Sequence, residues 1–198
     1  MREGAKMRRK PLLPETAVAI LFICCAFYFF LNGDKTEKSV NAALSAAAIL
    51  LFHLSYSRKA KLATRLIFTG WFIMATLFGV ILDFYALLPW YDSLVHLVTG
   101  ACLVYLAKGG MRLEDKAARR AKVLYAFFFS VSLSTFWEIY EFGVDFLGAD
   151  SQHGSLSDTM WDLIYGTIGA AAAGIALYHL SGKILKSDGP EQRKRSGN

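Results

Sequence analysis

Thr16–Leu31 reads TAVAILFICCAFYFFL and carries no charged residue. A helix needs about 20 mostly apolar residues to cross the hydrocarbon core of a bilayer. Outward from this stretch the same pattern returns five times. The further runs cover Val40–Tyr56, Leu66–Leu88 closed by Pro89, Trp90–Ala107, Val123–Leu147 and Met160–Leu180. In hydrocarbon, an open chain satisfies every backbone N–H and C=O only as a helix. The expectation is therefore an all-α protein, a polytopic membrane bundle of six transmembrane helices. Residues 1–15 form a basic tail before it, residues 16–182 the membrane domain, and residues 183–198 a polar tail expected to be disordered. The basic start resembles that of a signal peptide. The first run, however, ends in FYFFLNGDK with no small-residue cleavage site, so it reads as a retained helix.

Charge placement tests this partition. The N-terminal tail holds Arg2, Lys6, Arg8, Arg9 and Lys10. The loop after the second run holds Arg58, Lys59, Lys61 and Arg65. The loop after the fourth holds Lys108, Arg112, Lys116, Arg119, Arg120 and Lys122, and the C-terminal tail holds Lys183, Lys186, Arg193, Lys194 and Arg195. Of the 22 basic residues only Lys35 and Lys38 fall on the other side, beside Asp34 and Glu37. This alternation is the positive-inside pattern of an even number of spans, with both termini in the cytoplasm. Trp90, Tyr91 and Trp161 then sit at the outer ends of runs, where an aromatic belt belongs. The net charge of +6 follows topology, so no nucleic-acid partner is expected. The partner is the lipid bilayer; nothing in the sequence sets an oligomeric state. Cys24, Cys25 and Cys102 lie inside apolar runs with no zinc or disulfide spacing, and read as buried, inert thiols.

Ionisable residues inside spans are costly and mark function. The first two runs carry almost none; His53, near the cytoplasmic end of the second, reads as an interfacial histidine. The later runs differ. Asp83 lies near the outer end of the third. Asp92 and His96 stand four residues apart on one face of the fourth. Glu138, Glu141 and Asp145 share a face of the fifth, and Asp158 and Asp162 open the sixth after Asp150 and His153 in the preceding loop. At about 1.5 Å per residue, His96 lies roughly 9 Å below its outer helix end, Glu138 roughly 13 Å and Asp162 about 3–5 Å. Modest tilt brings them to one depth in the outer half of the membrane. No Lys or Arg lies nearby in sequence to neutralise them. Such a set either holds protons, holds a cation or lines a wet cavity.

Asp and Glu with one His form a ligand set for a divalent metal such as Zn, Mn or Fe, or Mg or Ca without the histidine. Asp92, His96, Asp158 and Asp162 are the expected metal ligands, and Glu138 or Glu141 the expected catalytic base. The metal would polarise an ester or phosphoryl oxygen, or lower the pKa of bound water, on a lipid or lipid-linked substrate. A proton- or ion-coupled transporter and a structural scaffold are the competing readings. Against transport stand the small number of spans, the lack of an internal repeat and a cytoplasmic half without matching polar groups. Gly166, Gly169, Ala170–Ala173 and Gly174 read as a close helix-packing face. Tyr140 and Tyr165 are candidate hydrogen-bond donors to the carboxylates, and Trp137 and Trp161 are lining or anchoring residues.

WYDSLVHLVTG (Trp90–Gly100), FWEIYEF (Phe136–Phe142) and SDTMWDLIYGTIGA (Ser157–Ala170) resemble the YjdF family of bacterial inner-membrane proteins. The likeness extends over about residues 65–180 and implies an inner-membrane location, with Asp92, His96, Glu138, Glu141, Asp158 and Asp162 as signature residues. A weaker similarity reaches the VanZ-like proteins, from which this chain departs. Glu141 stands where a Gln is usual, and the Arg expected in the following loop is absent. Neither resemblance supplies an established reaction.

Overall fold

The computed structural model describes residues 13–33, 36–57, 61–108, 116–146 and 155–195. Every regular element among them is helical. In order these are α1 (Leu13–Asn32), α2 (Thr36–Phe52), α3 (Leu62–Phe72), α4 (Phe84–Leu87), α5 (Tyr91–Lys108), α6 (Lys116–Phe146) and α7 (Leu156–Arg195). α2 runs on into a wider π-helical turn, His53–Ser57, and α3 into a π-helical segment, Ile73–Ile81.

Burial is inverted relative to a water-soluble bundle. Large apolar side chains such as Phe27, Phe30, Phe128, Phe136 and Phe142 are exposed, while Ala19, Ala42, Ser45, Thr76, Ala126, Ser130 and Ala170 are buried. Many small and hydroxylated residues inside, around a few large ones such as Phe22 and Ile49, suit helices that pack closely in lipid. Five stretches are long and apolar enough to cross a membrane: Glu15–Asn32, Lys38–Ser55, Leu62–Ile81, Arg119–Gly143 and Leu156–Leu180. The fourth expected span, now α5, is not among these five. Asp92, Ser93, His96, Thr99 and Gly100 dilute its apolar character.

The helices gather into two compact units, one ending at Phe84 and the other beginning at Tyr85. In the first, Ala19 and Phe22 of α1 pack on Ala46 and Ile49 of α2, with Phe68 and Phe72 of α3 alongside. Polar ties lock the register. Ser45 and Thr76 hydroxyls hydrogen-bond at 2.7 Å, and the Ser39 hydroxyl donates to the Ala26 carbonyl at 2.8 Å. Near one end, the Arg65 guanidinium grips both carboxylate oxygens of Glu15, and both residues are buried. Glu15 is therefore part of α1 rather than of a solvated tail, and Arg65 is a packing residue rather than a loop cation.

The third run departs from its expected single helix to Leu88. The helix stops at Ile81, and Asp83 adopts φ 60° before the short α4. Asp is among the few residues that tolerate this left-handed conformation. Lys38 secures the break: its ammonium lies 2.5 Å from Asp83 Oδ1 and donates to the Ile81 carbonyl at 3.1 Å. Lys38, one of the two basic residues outside the charge pattern, thus neutralises Asp83 from 45 positions away in sequence.

In the second unit α5 and α7 touch backbone to backbone. A Cβ on Gly100 would overlap the Gly166 carbonyl, and one on Gly169 would overlap that of Leu97. The glycine-rich stretch is the close packing face its composition implied. α6 closes the unit: its Ser130 hydroxyl donates to the Gly100 carbonyl at 2.8 Å, and Ala126 packs with Val104, Ala170 and Leu177. α6 begins seven residues before the expected run, at Lys116, and α7 keeps helical backbone from Leu156 through to Arg195, past residue 182. The thiols are all free, but Cys24 is exposed on α1 rather than buried.

Candidate functional site

Three helices of the second unit each deliver two acidic or imidazole groups, and helical spacing decides which. On α5, Asp92 and His96 lie one turn apart, with His96 Nε2 3.5 Å from Asp92 Oδ1. On α6, Glu138 and Glu141 lie three apart; Glu138 Oε1 stands 3.5 Å from the other imidazole nitrogen, His96 Nδ1. On α7, Asp158 and Asp162 again lie one turn apart. Ser155 starts this helix by accepting the Asp158 N–H on its hydroxyl at 3.3 Å, with Asp158 in the first turn where a negative charge is favoured.

Ligand atoms of Asp92, His96 and Asp162 all lie within 4.8 Å of one another. His96 is 9%, Glu138 5% and Asp162 4% exposed, so the centre of the group is shielded. Glu138 Oε1 and Asp162 Oδ1 are buried without a hydrogen-bond partner. A buried polar atom left in that state costs free energy; a cation would satisfy the Asp162 oxygen, while Glu138 Oε1 faces the imidazole. One imidazole nitrogen and two carboxylates converging at this range can hold a divalent ion.

The expected residues divide in three. Asp92, His96 and Asp162 bring their potential ligand atoms together, with Glu138 on the far side of the imidazole. Asp158 and Glu141 stand outside that triad but within electrostatic reach: Asp158 acts on Asp92, Glu138 and Asp162, and Glu141 feels Glu138, Asp92 and Asp162. Asp83 belongs elsewhere, with Lys38. The side chain of Asp145, and Asp150 and His153 altogether, lie outside the described residues.

The groups that support the cluster differ from those expected. Tyr140 and Tyr165 lie beside the neighbouring tryptophans, at ring separations of 5.5 Å and 5.9 Å, and make no hydrogen bond to the cluster among the described residues. Instead the Thr159 hydroxyl bonds Glu138, and the Trp137 indole N–H bonds Glu141 one turn away. Tyr85 of α4 packs edge-on against Tyr91 of α5, ring centroids 5.5 Å apart, and lies within electrostatic reach of Asp92, Glu141 and Asp162. The signal for Tyr85 was absent from any spacing, because α4 is separated from α5 by the turn at Leu88–Trp90.

Along these three helices the basic residues stand far from the cluster. In α5 the nearest is Lys108, twelve residues beyond His96, or about 18 Å along the helix. In α6 the nearest is Lys122, sixteen residues before Glu138, or about 24 Å. α7 carries no Lys or Arg between Leu156 and Leu180.

Neither a curated protein nor a solved structure matches the chain. A family does, over residues 14–183, and that span takes in α2 to α6 whole, all but the first residue of α1, α7 as far as residue 183, and the whole acidic cluster. Apolar outward-facing helices, small buried residues and that match agree: the chain belongs to the DUF2238 family of predicted membrane proteins.

Proposed function

We propose that this membrane protein binds a divalent cation, Zn, Mn or Fe, among Asp92, His96 and Asp162, and acts as a hydrolase or transferase on a lipid or lipid-linked substrate. The observation that carries the reading is Asp162, 4% exposed with its Oδ1 lacking a hydrogen-bond partner, in a group whose ligand atoms from Asp92, His96 and Asp162 lie within 4.8 Å of one another. When bound, the metal would supply Lewis-acid polarisation of an ester or phosphoryl oxygen, or a water acidic enough to ionise near neutrality. His96 offers Nε2 on the Asp92 side and keeps Nδ1–H for Glu138, which fixes its tautomer and ring orientation. That leaves Glu141, held by the Trp137 indole, as the proton acceptor. Tyr85 is placed to donate a hydrogen bond to a substrate oxygen.

The six-span arrangement with both termini cytoplasmic is part of the proposal, with α5, packed against α6 and α7, as the fourth span beside the five apolar ones. It is supported by the separation of charges in the second unit: acids gather at one end of the helices and Lys108, Arg119, Arg120 and Lys122 at the other. The cluster then opens toward the outer leaflet of the bacterial inner membrane, as in the YjdF-like proteins the sequence resembles.

Elemental analysis of the detergent-purified protein tests the site. One or more divalent ions per chain are expected in the wild type, with loss in His96→Ala and Asp162→Asn. Folded variants that keep the wild-type metal content would remove the proposal and favour the scaffold reading.

A further inference from the structure

We propose that Arg119, Arg120 and Tyr178, where the basic end of α6 meets α7, bind the phosphate of an anionic phospholipid headgroup. Arg119 stands nineteen residues before Glu138, about 28 Å along α6, so this site is separate from the acidic cluster and independent of the metal reading. Two cations converge there on one neutral residue. The Arg119 guanidinium lies over the Tyr178 ring, its central carbon 4.5 Å from the ring centroid. Arg120 Nε donates to the Tyr178 hydroxyl at 3.5 Å, longer than the ordinary N–H···O range of about 2.7–3.2 Å. Neither arginine forms a salt bridge with a carboxylate among the described residues.

Burial makes the lack of an anion costly. Arg119 is 8% exposed, and its Nε is buried with no hydrogen-bond partner. A buried charge needs both a counter-charge and acceptors for its donors. The cation–π contact supplies part of the first and none of the second. It engages the flat face of the guanidinium, while the N–H groups point outward in its plane. Both arginines also stand near the N-terminal end of α6, where the helix dipole disfavours cations and attracts anions. No acidic residue occupies the first turn of α6. Glu114 and Asp115 precede it in the sequence and lie outside the described residues.

Chemistry and depth select the occupant. The planar fork of a guanidinium matches the oxygens of a phosphate. Tyr178, accepting from Arg120, keeps its own O–H to donate to a further phosphate oxygen. Arg120 is exposed, which leaves the site open to an arriving headgroup. Arg119 opens the apolar stretch Arg119–Gly143, and Tyr178 lies two residues from the end of Leu156–Leu180, so both stand where hydrocarbon gives way to headgroups. On the topology proposed above these are cytoplasmic ends, and basic pockets between helices on that side bind acidic headgroups. A zwitterionic headgroup would bring its ammonium toward two guanidiniums; an anionic one does not.

Native mass spectrometry of delipidated, detergent-purified full-length protein tests the site, with dioleoylphosphatidylglycerol, dioleoylphosphatidylcholine and inorganic phosphate as probes. Phosphatidylglycerol is expected to fill a tight first position well ahead of phosphatidylcholine. Arg120→Gln and Tyr178→Phe should each weaken that first binding several-fold, and Arg119→Gln by about tenfold or more. Equal binding of the two lipids overturns the proposal, and so does undiminished binding in both Arg120→Gln and Tyr178→Phe. Inorganic phosphate that displaces the lipid at equal concentration overturns the headgroup and leaves a free-anion site. A site already closed by Glu114 or Asp115 would show no preference between the lipids. The exposed Arg120 decides even where the variant of buried Arg119 fails to fold.

Discussion

Glu138 Oε1 of α6 lies 3.5 Å from His96 Nδ1 of α5, while the opposite nitrogen of the same ring faces Asp92. A carboxylate behind a metal-binding imidazole fixes its tautomer and raises its basicity. Glu138→Gln keeps the shape and removes the charge. Metal affinity is expected to fall by about 10–100-fold, read by chelator competition on the purified protein. Unchanged affinity would deny Glu138 this role.

The Glu15–Arg65 pair sets a different expectation, because both partners are buried. Removing one leaves the other charge without compensation, at a cost of about 3–5 kcal/mol. Glu15→Ala should therefore lower the melting temperature in detergent more than the double variant Glu15→Ala with Arg65→Met. Equal melting points for the two would mean the pair contributes nothing specific.

Gly100 and Gly143 make an internal comparison. A Cβ at Gly100 meets the Gly166 carbonyl, which is backbone and has nowhere to go; at Gly143 nothing lies within 4 Å. Gly100→Ala is expected to exceed the usual overpacking cost of about 1–3 kcal/mol. Gly143→Ala should be neutral or stabilising by up to about 1 kcal/mol. Thermal unfolding monitored by circular dichroism ranks them.

At Asp83 backbone and charge separate cleanly. Its side chain is half exposed, so the Lys38 contact is worth only about 0–1 kcal/mol. Its φ of 60° is the stronger constraint. Asp83→Asn should be mild, and Asp83→Val should cost more, because a β-branched residue resists that conformation. If valine is the milder substitution in an unfolding assay, the turn does not hold as described.

Topology is open to direct labelling. In a variant without Cys24, Cys25 and Cys102, a cysteine at Leu88 should react with an impermeant maleimide added to intact cells. One at Ser196 should react only after permeabilisation. The reverse pattern would turn the protein over and place the acidic pocket on the cytoplasmic side.

The sequence by itself determined that the chain is helical and membrane-borne. It also determined which residues are out of place in lipid, because span length, charge alternation and helical spacing are local properties. Asp92 with His96, and Asp158 with Asp162, share faces by spacing alone, and the glycines from Gly166 announced a close approach. Tertiary structure decided everything that depends on which helix meets which. It sent Asp83 to Lys38 and Arg65 to Glu15, partners 45 and 50 residues apart. It put Glu138 behind His96 and brought Tyr85 to the acids. It replaced the expected Tyr140 and Tyr165 contacts with Thr159 and Trp137. Electrostatic pairing acts through space and is blind to chain distance, so no window along the sequence contains it.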